Sequence, residues 1–332
     1  MIISKTPFRI SFFGGGTDYP SWSSKNGGTV LSTTIDKYCY ISCRYLPPFF
    51  DHKYRIVYSQ IENVKDINDI KHPAVKAVLN SMECYQGLEI HYDGDLPARS
   101  GLGTSSSFTV GLLHTLWALR GSYVSKQALA RQAIYVEQKI IGEHVGSQDQ
   151  VAASFGGLNK IEFSHDGGFN VESVILPENR KEELQGHLML FFTGLQRNAA
   201  EIAKSKIANL EERRVELKSL REMVLQALDI LQNETNNIEQ FGELLDQSWQ
   251  LKRSLSDQVS NVYIDQLYHL ALKAGAIGGK LLGAGGGGFL LLFVRPSQQD
   301  NVRQALKSLI QVPVKFEEGG AKIVLYQPNG LS

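Results

Sequence analysis

The chain has little of what marks secreted or nucleic-acid-binding proteins. Its 332 residues include three cysteines, Cys39, Cys43 and Cys84, which are too few for a disulfide framework. We expect reduced, buried thiols in a cytoplasmic protein. Lysine and arginine together number 34, as do aspartate and glutamate, so no bulk charge favours a nucleic acid partner. An anionic ligand would need a local cationic site.

Long apolar runs are also missing. The N-terminal segment MIISKTPFRIS carries Lys5 and Arg9 and lacks an apolar stretch of signal-peptide length. The densest apolar run, FLLLFV at 289–294, is far too short to cross a bilayer. We therefore expect no membrane partner, and a monomer or a homodimer acting on a small molecule.

Three common nucleotide-binding signatures are absent. The GGK at 278–280 is followed by leucine, so it is not a Walker A loop, and neither HRD nor DFG occurs. The hydroxyl-rich turn at 101–107 is not G-x-G-x-x-G, which excludes a Rossmann dinucleotide site.

What the chain does contain is alternating strands and helices with glycine-rich turns. Strands dominate the first half, and a charged, glycine-poor helical stretch dominates the second, which predicts two domains, 1–190 and 191–332. Helices are predicted over 107–121, 127–142, parts of 199–256, 263–275 and about 299–310. Strands are predicted at 2–13, 29–35, 39–46, 54–59, 88–94 and near the C-terminus.

The first glycine cluster, GGGTD, follows the strand that carries Arg9. Gly14, Gly15 and Gly16 permit positive φ and close approach of the backbone to a ligand. The residues after them, Thr17 and Asp18, offer polar groups where the strand ends. A tight turn capped by the aspartate is the simpler interpretation.

The second cluster, PARSGLGTSSS, runs from Pro97 to Ser107. Gly101 and Gly103 bend the backbone, and Thr104 to Ser107 open a predicted helix. Free amides and the positive end of the helix dipole make such a terminus an anion site. One hydroxyl would suffice for an ordinary N-cap. Four in a row favour phosphate binding.

Two carboxylates and a third glycine cluster complete the series. Helical periodicity places Glu137 on an apolar stripe, where a carboxylate needs a salt bridge or a cation. Asp149 lies in a polar turn and could be an N-cap or a general base. GAGGGG at 283–288 joins two apolar strands with more glycine than a tight turn requires.

In this order, the motifs closely resemble those of the GHMP kinases over nearly the whole chain. The resemblance implies an α+β fold with an N-terminal ribosomal-protein-S5-like domain, a C-terminal ferredoxin-like domain with added helices, and an active site between them. It implies ATP and Mg²⁺ as cofactors, with Ser105 and Glu137 holding the metal and Asp149 as the catalytic aspartate, oriented by Arg9. The residues implied to bind the ATP phosphates are Pro97, Arg99, Ser100, Gly101, Leu102, Gly103, Thr104, Ser105, Ser106 and Ser107.

Within the family, RISFFGGGTDYP, SQDQVAASFGGLN and FTGLQRNA look most like kinases of D-glycero-D-manno-heptose 7-phosphate. That branch implies phosphorylation of the anomeric hydroxyl on the way to GDP-activated heptose for surface polysaccharide. We expect a cation for the 7-phosphate at Arg197, although a solvated arginine is the simpler interpretation. The residues expected to contact the sugar phosphate are Gly15, Gly16, Thr17, Asp18, Gly194, Arg197, Gly286 and Gly287.

Two other functions compete with this interpretation. A kinase of an unphosphorylated sugar, of the fucose or galactose type, would lack a cationic pocket for a second phosphate. A sensor that kept the fold without catalysis would have lost Glu137, Asp149 or the hydroxyl run, and all are present.

Overall fold

A computed structural model describes residues 1–195, 212–233 and 235–328. Among these residues no helix is both long and apolar enough to cross a membrane. The strands are β1 (Ile2–Phe13), β2 (Gly28–Tyr45), β3 (Tyr54–Val57), β4 (Ile61–Val64), β5 (Leu88–Gly94), β6 (Asn159–Phe163), β7 (Phe169–Ser173), β8 (Leu188–Phe192), β9 (Ala276–Leu281), β10 (Phe289–Val294), β11 (Ile310–Gln311), β12 (Phe316–Glu317) and β13 (Lys322–Tyr326).

The helices lie between these strands. They are α1 (Pro20–Asn26), α2 (Pro73–Ser81), α3 (Thr104–Leu119), α4 (Lys126–Tyr135), α5 (Gln148–Phe155), α6 (Glu178–Gly186), α7 (Arg214–Gln232), α8 (Glu239–Ser254), α9 (Val262–Lys273) and α10 (Gln299–Ala305). A π-helix, Val136–Ile141, continues α4, and short 3₁₀ turns occupy Ile67–Asp69 and Pro296–Gln298.

Two sheets organise the described chain. The larger has nine strands in the order β13-β1-β2-β5-β3-β4, with β12 and β6 also on β2 and β7 on β6. The smaller has the order β11-β8-β10-β9. The expected boundary at residue 190 falls inside β8, and the chain returns to the larger sheet in β12 and β13. The two sheets therefore do not divide at one position in the sequence.

Helix α3 packs closely on the larger sheet, which positions the start of that helix. A Cβ at Gly111 would meet the Thr6 hydroxyl at 2.9 Å, and Ser4 Oγ donates to the Gly111 carbonyl at 3.0 Å. This close approach places the glycine-rich loop before α3 beside Arg9 of β1, whose amide donates to the carbonyl of Leu102 at 3.0 Å.

Helix α8 connects the two sheets. Phe241 of α8 makes edge contacts with Phe12 and Phe13 of β1, at centroid distances of 5.4 and 5.1 Å. On the other side, a Cβ at Gly242 would come within 2.6 Å of the Phe293 ring in β10. The pocket described below lies where β1, α8 and β9 meet.

Several sequence-based boundaries need correction. The helix expected over 299–310 ends at Ala305, and Ile310 begins strand β11. The two strands expected at 29–35 and 39–46 are one continuous strand, β2, which shifts register against β1 near Pro7. The helix expected over 127–142 changes to π geometry at Val136, so the 3.6-residue spacing used for Glu137 does not hold beyond that point.

Candidate active site

The loop before α3 supplies the first wall of a pocket. Its last residue, Gly103, has left-handed geometry (φ 72°, ψ 23°) and caps α3 without a side chain. The first amides of an α-helix have no intrahelical acceptor, so they face the pocket as donors. A loop of this kind with a helix N-terminus suits the phosphates of a nucleotide.

The four hydroxyls at the start of α3 have different surroundings. Thr104 accepts from the Arg99 amide at 3.1 Å, and Ser107 donates to the Pro7 carbonyl at 2.9 Å. Ser106 Oγ donates to Glu137 Oε2 at 2.9 Å. Ser105 is exposed and lines the pocket. Three of the four hydroxyls thus hold the loop in place, and Ser105 faces the pocket.

The second and third glycine clusters interlock. A Cβ at Gly283 would lie 2.5 Å from the Cα of Gly101, and one at Gly288 would lie 2.2 Å from the Ser100 carbonyl oxygen. The amide of Phe289 donates to that same carbonyl at 3.1 Å. The glycines of GAGGGG therefore allow it to support the loop before α3 from behind.

Arg9 and Asp149 form the charged centre of the pocket. Arg9 Nε donates to Asp149 Oδ1 at 2.8 Å and Arg9 Nη2 to Oδ2 at 2.7 Å, a bidentate pair. Arg9 Nη1 donates to the Gly101 carbonyl at 2.7 Å. A Cβ at Gly103 would lie 3.4 Å from Asp149 Oδ2. The arginine is only 4% exposed, so it fixes the carboxylate beside the loop and the start of α3.

Asp18 lines the same pocket, at the end of the GGGTD turn. Its Oδ1 accepts from the Gly16 amide at 2.9 Å and its Oδ2 from the Gln148 amide at 3.3 Å. Burial and then the nearby Asp149 charge raise the pKa of Asp18, and these amides oppose the shift. A Cβ at Gly146 would come within 1.8 Å of Oδ2, so only glycine leaves room for this carboxylate.

Glu137 lies at the second position of the π-helix. It is 1% exposed, and its Oε2 accepts from Ser106 and from Gln150 Nε2. Its Oε1 is buried without a hydrogen-bond partner. Burial raises the pKa of Glu137 to about 7, and the nearby polar side chains of Thr109, Gln150 and Ser106 act in the opposite direction. A π-helical turn at such a carboxylate is typical of functional sites.

The Glu137 environment fits a divalent cation. The unpartnered buried oxygen is a hard ligand of the kind Mg²⁺ prefers, and the Ser105 and Ser106 hydroxyls are adjacent along α3. Among the described residues no group of three or more His, Cys, Asp or Glu side chains could hold a metal ion. A cation here would therefore need ligands from hydroxyls and from bound phosphate as well.

The structure brings most predicted site residues together at one pocket. Those that line it are Arg9, Gly15, Gly16, Asp18, Arg99, Gly101, Gly103, Thr104, Ser105, Ser106 and Asp149. Thr17 is fully buried, and its hydroxyl donates to the Gly14 carbonyl and accepts from the Thr29 amide. It holds the turn and does not line the pocket.

Other predicted residues lie outside the pocket lining. Gly286 and Gly287 are buried against Val259 and Leu195, and Gly283 and Ala284 face the pocket from the same loop. Pro97, Ser100, Leu102, Ser107, Glu137 and Gly194 also do not line it. Arg197 lies outside the described residues.

Sequence reasoning missed two lysines in this pocket. Lys252 on α8 and Lys280 on β9 both line it, together with Ser11, Tyr19 and Gln148. Lys280 lies in an apolar strand, IGGKLL, where a charged residue is unusual and indicates a specific role. Lys252 follows a charged helical run, and its position could not be distinguished from that of its solvated neighbours.

Comparison with known proteins agrees with this geometry. Residues 68–157 match the family described as GHMP kinases N terminal domain, and residues 217–311 match GHMP kinases C terminal. The chain is 31% identical to the D-glycero-alpha-D-manno-heptose 7-phosphate kinase of Campylobacter jejuni, covering 92% of this chain and 93% of that one.

Two further similar proteins are less identical in sequence. The chain is 26% identical to the bifunctional fucokinase/GDP-fucose pyrophosphorylase of Arabidopsis thaliana, over 93% of this chain and 31% of the longer protein. It shares its fold with the crystal structure of a D-glycero-D-manno-heptose 1-phosphate kinase from Bacteroides thetaiotaomicron, with a TM-score of 0.79, 24% identity and coverage of 97% and 98% of the two chains.

The chain therefore belongs to the GHMP kinases. It is an ATP-dependent kinase that phosphorylates a hydroxyl group, and its α+β fold is the two-part fold of that family.

Proposed function

We propose that this kinase phosphorylates the anomeric C1 hydroxyl of D-glycero-D-manno-heptose 7-phosphate. The product would be the 1,7-bisphosphate, on the way to GDP-heptose for surface polysaccharide. The observation that carries the chemistry is the bidentate Arg9–Asp149 pair beside Gly103 and the start of α3. The 31% identity with the C. jejuni heptose 7-phosphate kinase, over almost the full length of both chains, supports the acceptor.

The residues of the pocket would have different roles in phosphoryl transfer. The start of α3, with Gly101, Gly103 and Ser105, would hold the ATP phosphates, and Ser105 with Glu137 would hold Mg²⁺. The cation supplies charge neutralisation of the phosphate oxygens when it is bound. Asp149 would accept the proton of the sugar hydroxyl, and Arg9 would fix the orientation of this carboxylate.

The acceptor would lie on the side of the GGGTD turn. Asp18, held by two backbone amides, would accept hydrogen bonds from sugar hydroxyls. We retain Arg197 as a proposed contact of the 7-phosphate. If the variant Arg197→Ala leaves KM for the sugar phosphate unchanged, that assignment should be dropped.

A matched panel of acceptors tests this function. ATP consumption with Mg²⁺ is measured for heptose 7-phosphate, fucose, galactose and mevalonate. We expect kcat/KM to be highest for heptose 7-phosphate by at least ~100-fold. A site that binds the 7-phosphate has polar or charged groups that are left unpaired when the acceptor carries no phosphate. A preference for fucose or galactose would favour the second candidate, a kinase of an unphosphorylated sugar, which the identity with the fucokinase supports.

A further inference from the structure

Ser11 and Gln148 are two polar residues of the pocket wall with unpaired side-chain oxygens. Ser11 of β1 is 7% exposed, Gln148 at the start of α5 is half-buried, and both line the pocket that contains Asp149. Ser11 Oγ and Gln148 Oε1 are both buried and have no hydrogen-bond partner within the described chain. Buried polar groups are usually paired, so two unpaired groups in one pocket wall indicate a ligand.

The two side chains approach each other above Gly15 of the GGGTD turn. A Cβ built on Gly15 would lie 3.6 Å from Ser11 Oγ and 3.7 Å from Gln148 Nε2. Apart from Gly15 and its chain neighbours, no other heavy atom among the described residues comes within 4 Å of that position. The space above Gly15 is therefore open, and a hydroxyl and an amide flank it.

Backbone geometry does not explain the glycine at position 15. Gly14 and Gly16 have φ of +79° and +107°, which residues with a side chain rarely adopt, and a Cβ at Gly14 would lie 1.9 Å from the Thr29 carbonyl oxygen. Gly15 does not have a positive φ, and its Cβ would make only ordinary van der Waals contacts. The glycine at position 15 instead keeps the pocket wall open at this point.

This open space adjoins the carboxylates of the pocket. Gln148 directly precedes Asp149, and its amide donates to Asp18 Oδ2 at 3.3 Å. Ser11 follows Arg9 by two residues in a regular part of β1, so the two side chains project from the same face of the strand. Under the proposed function, the acceptor lies on this side of the pocket.

The chemistry of the two side chains suits a sugar hydroxyl. A hydroxyl both donates and accepts hydrogen bonds, and the Gln148 amide and the Ser11 hydroxyl together offer both roles. Rotation about their side-chain torsions allows both groups to turn toward a ligand. Neither group is charged, whereas phosphate is bound most strongly by cationic side chains.

We propose that Ser11 and Gln148 bind a hydroxyl group of the acceptor other than the one that is phosphorylated, in the space that Gly15 leaves open. The two residues thereby favour an acceptor with a hydroxyl at this position over one with a methylene group. This inference rests on the proposed function, because it takes the side of the GGGTD turn as the acceptor side. It does not require the 7-phosphate.

A comparison of acceptors with and without single hydroxyl groups tests this subsite. The ratio kcat/KM is measured for heptose 7-phosphate and for its 2-, 3-, 4- and 6-deoxy forms. We expect the wild type to discriminate against one deoxy form by about 10-fold, and Gln148→Met and Ser11→Ala to discriminate against that form by less than ~3-fold. Wild-type discrimination against every deoxy form in both variants, or no discrimination in the wild type, would overturn the assignment.

Gly15→Ala tests the open space directly. The added methyl group would occupy the position that the sugar hydroxyl needs, without a clash with the protein. We expect KM for heptose 7-phosphate to rise by at least ~10-fold, with KM for ATP and thermal stability close to those of the wild type. Gly186→Ala, whose methyl group would meet nothing within 4 Å, should leave both KM values unchanged. A wild-type KM for the sugar in Gly15→Ala would refute the subsite.

Thermal unfolding separates binding from a purely structural role. Because Ser11 Oγ has no partner among the described residues, Ser11→Ala should not lower the unfolding temperature of the free enzyme. Gln299→Met is the control for Gln148→Met, since it removes an amide of α10 that donates to the Gly186 carbonyl at 2.7 Å outside the pocket lining. This control should keep wild-type kinetics with every acceptor. A lower unfolding temperature for Ser11→Ala with unchanged acceptor discrimination would show that Ser11 only supports the fold.

The proposed function and this subsite can fail separately. If the wild type prefers fucose or galactose, the proposed function fails, and the same comparison is made with the deoxy forms of the preferred sugar. If the wild type phosphorylates heptose 7-phosphate and both variants keep its discrimination, the function stands and the subsite is refuted.

Discussion

At the scale of single residues, the site depends on how buried charges are paired. Arg9 holds both oxygens of Asp149, and two backbone amides hold Asp18. Glu137 instead keeps one buried oxygen without a partner. Buried polar groups are usually satisfied, so the exceptions indicate function. Under the proposed function, the first two carboxylates would face the substrate and the third would bind a cation.

Asp149→Asn tests the paired carboxylate. The amide replaces one acceptor with a donor that faces Arg9, so the variant loses both the bidentate pair and the proton acceptor. We expect kcat to fall by about 10²- to 10⁴-fold, with KM for the acceptor within a few-fold of wild type. Steady-state kinetics measure both.

The control for Asp149→Asn is Asp166→Asn. Asp166 lies in an exposed turn, accepts from Ser164 and the Gly168 amide, and does not line the pocket. Its variant should keep wild-type kinetics. An Asp149→Asn enzyme with kcat within ~10-fold of wild type would remove Asp149 from the chemistry.

Glu137 makes stability depend on pH in a defined direction. Its folded pKa of about 7 lies above the ordinary 4.5, so the folded state holds the proton more tightly than the unfolded state. The free energy of unfolding therefore falls by on the order of 3 kcal/mol as the pH rises from about 4.5 to 7. Without divalent cations, urea unfolding at pH 5 and pH 8 should show this loss in the wild type.

Glu137→Gln provides the comparison for that pH dependence. The amide oxygen can still accept from Ser106 and Gln150, and the side chain cannot ionise. The variant should lose less stability than wild type between pH 5 and pH 8. Parallel pH profiles for the two proteins would show that Glu137 does not hold a proton in the folded state.

At the scale of elements, the two glycine-rich loops pack directly against each other. The loop before α3 and the GAGGGG loop approach so closely that no Cβ fits at Gly101, Gly283 or Gly288. Helix α3 is placed in turn by the close contact of Gly111 with β1. The geometry of the loop before α3 thus depends on both sheets.

Gly283→Ala tests this interlock. Gly283 has φ +72°, and its Cβ would meet the Cα of Gly101 at 2.5 Å. Left-handed geometry costs a non-glycine residue about 1–3 kcal/mol before the clash is counted. We expect lower thermal stability and a KM for ATP raised by at least ~10-fold. Thermal unfolding and ATP kinetics measure these effects.

Gly186→Ala is the matched control. A Cβ at Gly186, the last residue of α6, would meet nothing within 4 Å. Its variant should unfold within a few degrees of wild type and keep its KM for ATP. If Gly283→Ala behaves in the same way, the two loops do not support each other.

The motifs could be predicted from sequence because glycine, hydroxyl and carboxylate residues cluster along the chain. The helix starting at Thr104 and the strand carrying Arg9 were predictable for the same reason. The π-helical turn at Glu137 was not, because residue spacing does not distinguish it from a continuing α-helix. Lys252 and Lys280 reach the pocket only through the packing of α8 and β9 on β1, a long-range arrangement that local patterns do not encode.

At the scale of the whole molecule, the candidate active site lies where the two sheets meet. The larger sheet supplies Arg9 and, through its loops and helices, Asp18, Glu137 and Asp149. The smaller sheet and α8 supply the supporting loop and the two lysines. Ligand pockets are common where two parts of a fold meet, and this one brings the loop before α3 and the Arg9–Asp149 pair together.

Phosphorus NMR of the reaction product shows which hydroxyl group of the sugar this kinase phosphorylates. Enzyme, ATP and Mg²⁺ are incubated with heptose 7-phosphate, and the product is examined for its phosphate groups. We expect two sugar phosphate resonances, one of them coupled to the anomeric C1 proton, as in a 1,7-bisphosphate. A new phosphate coupled to any other sugar proton, or no second phosphate while another sugar is phosphorylated, would contradict it.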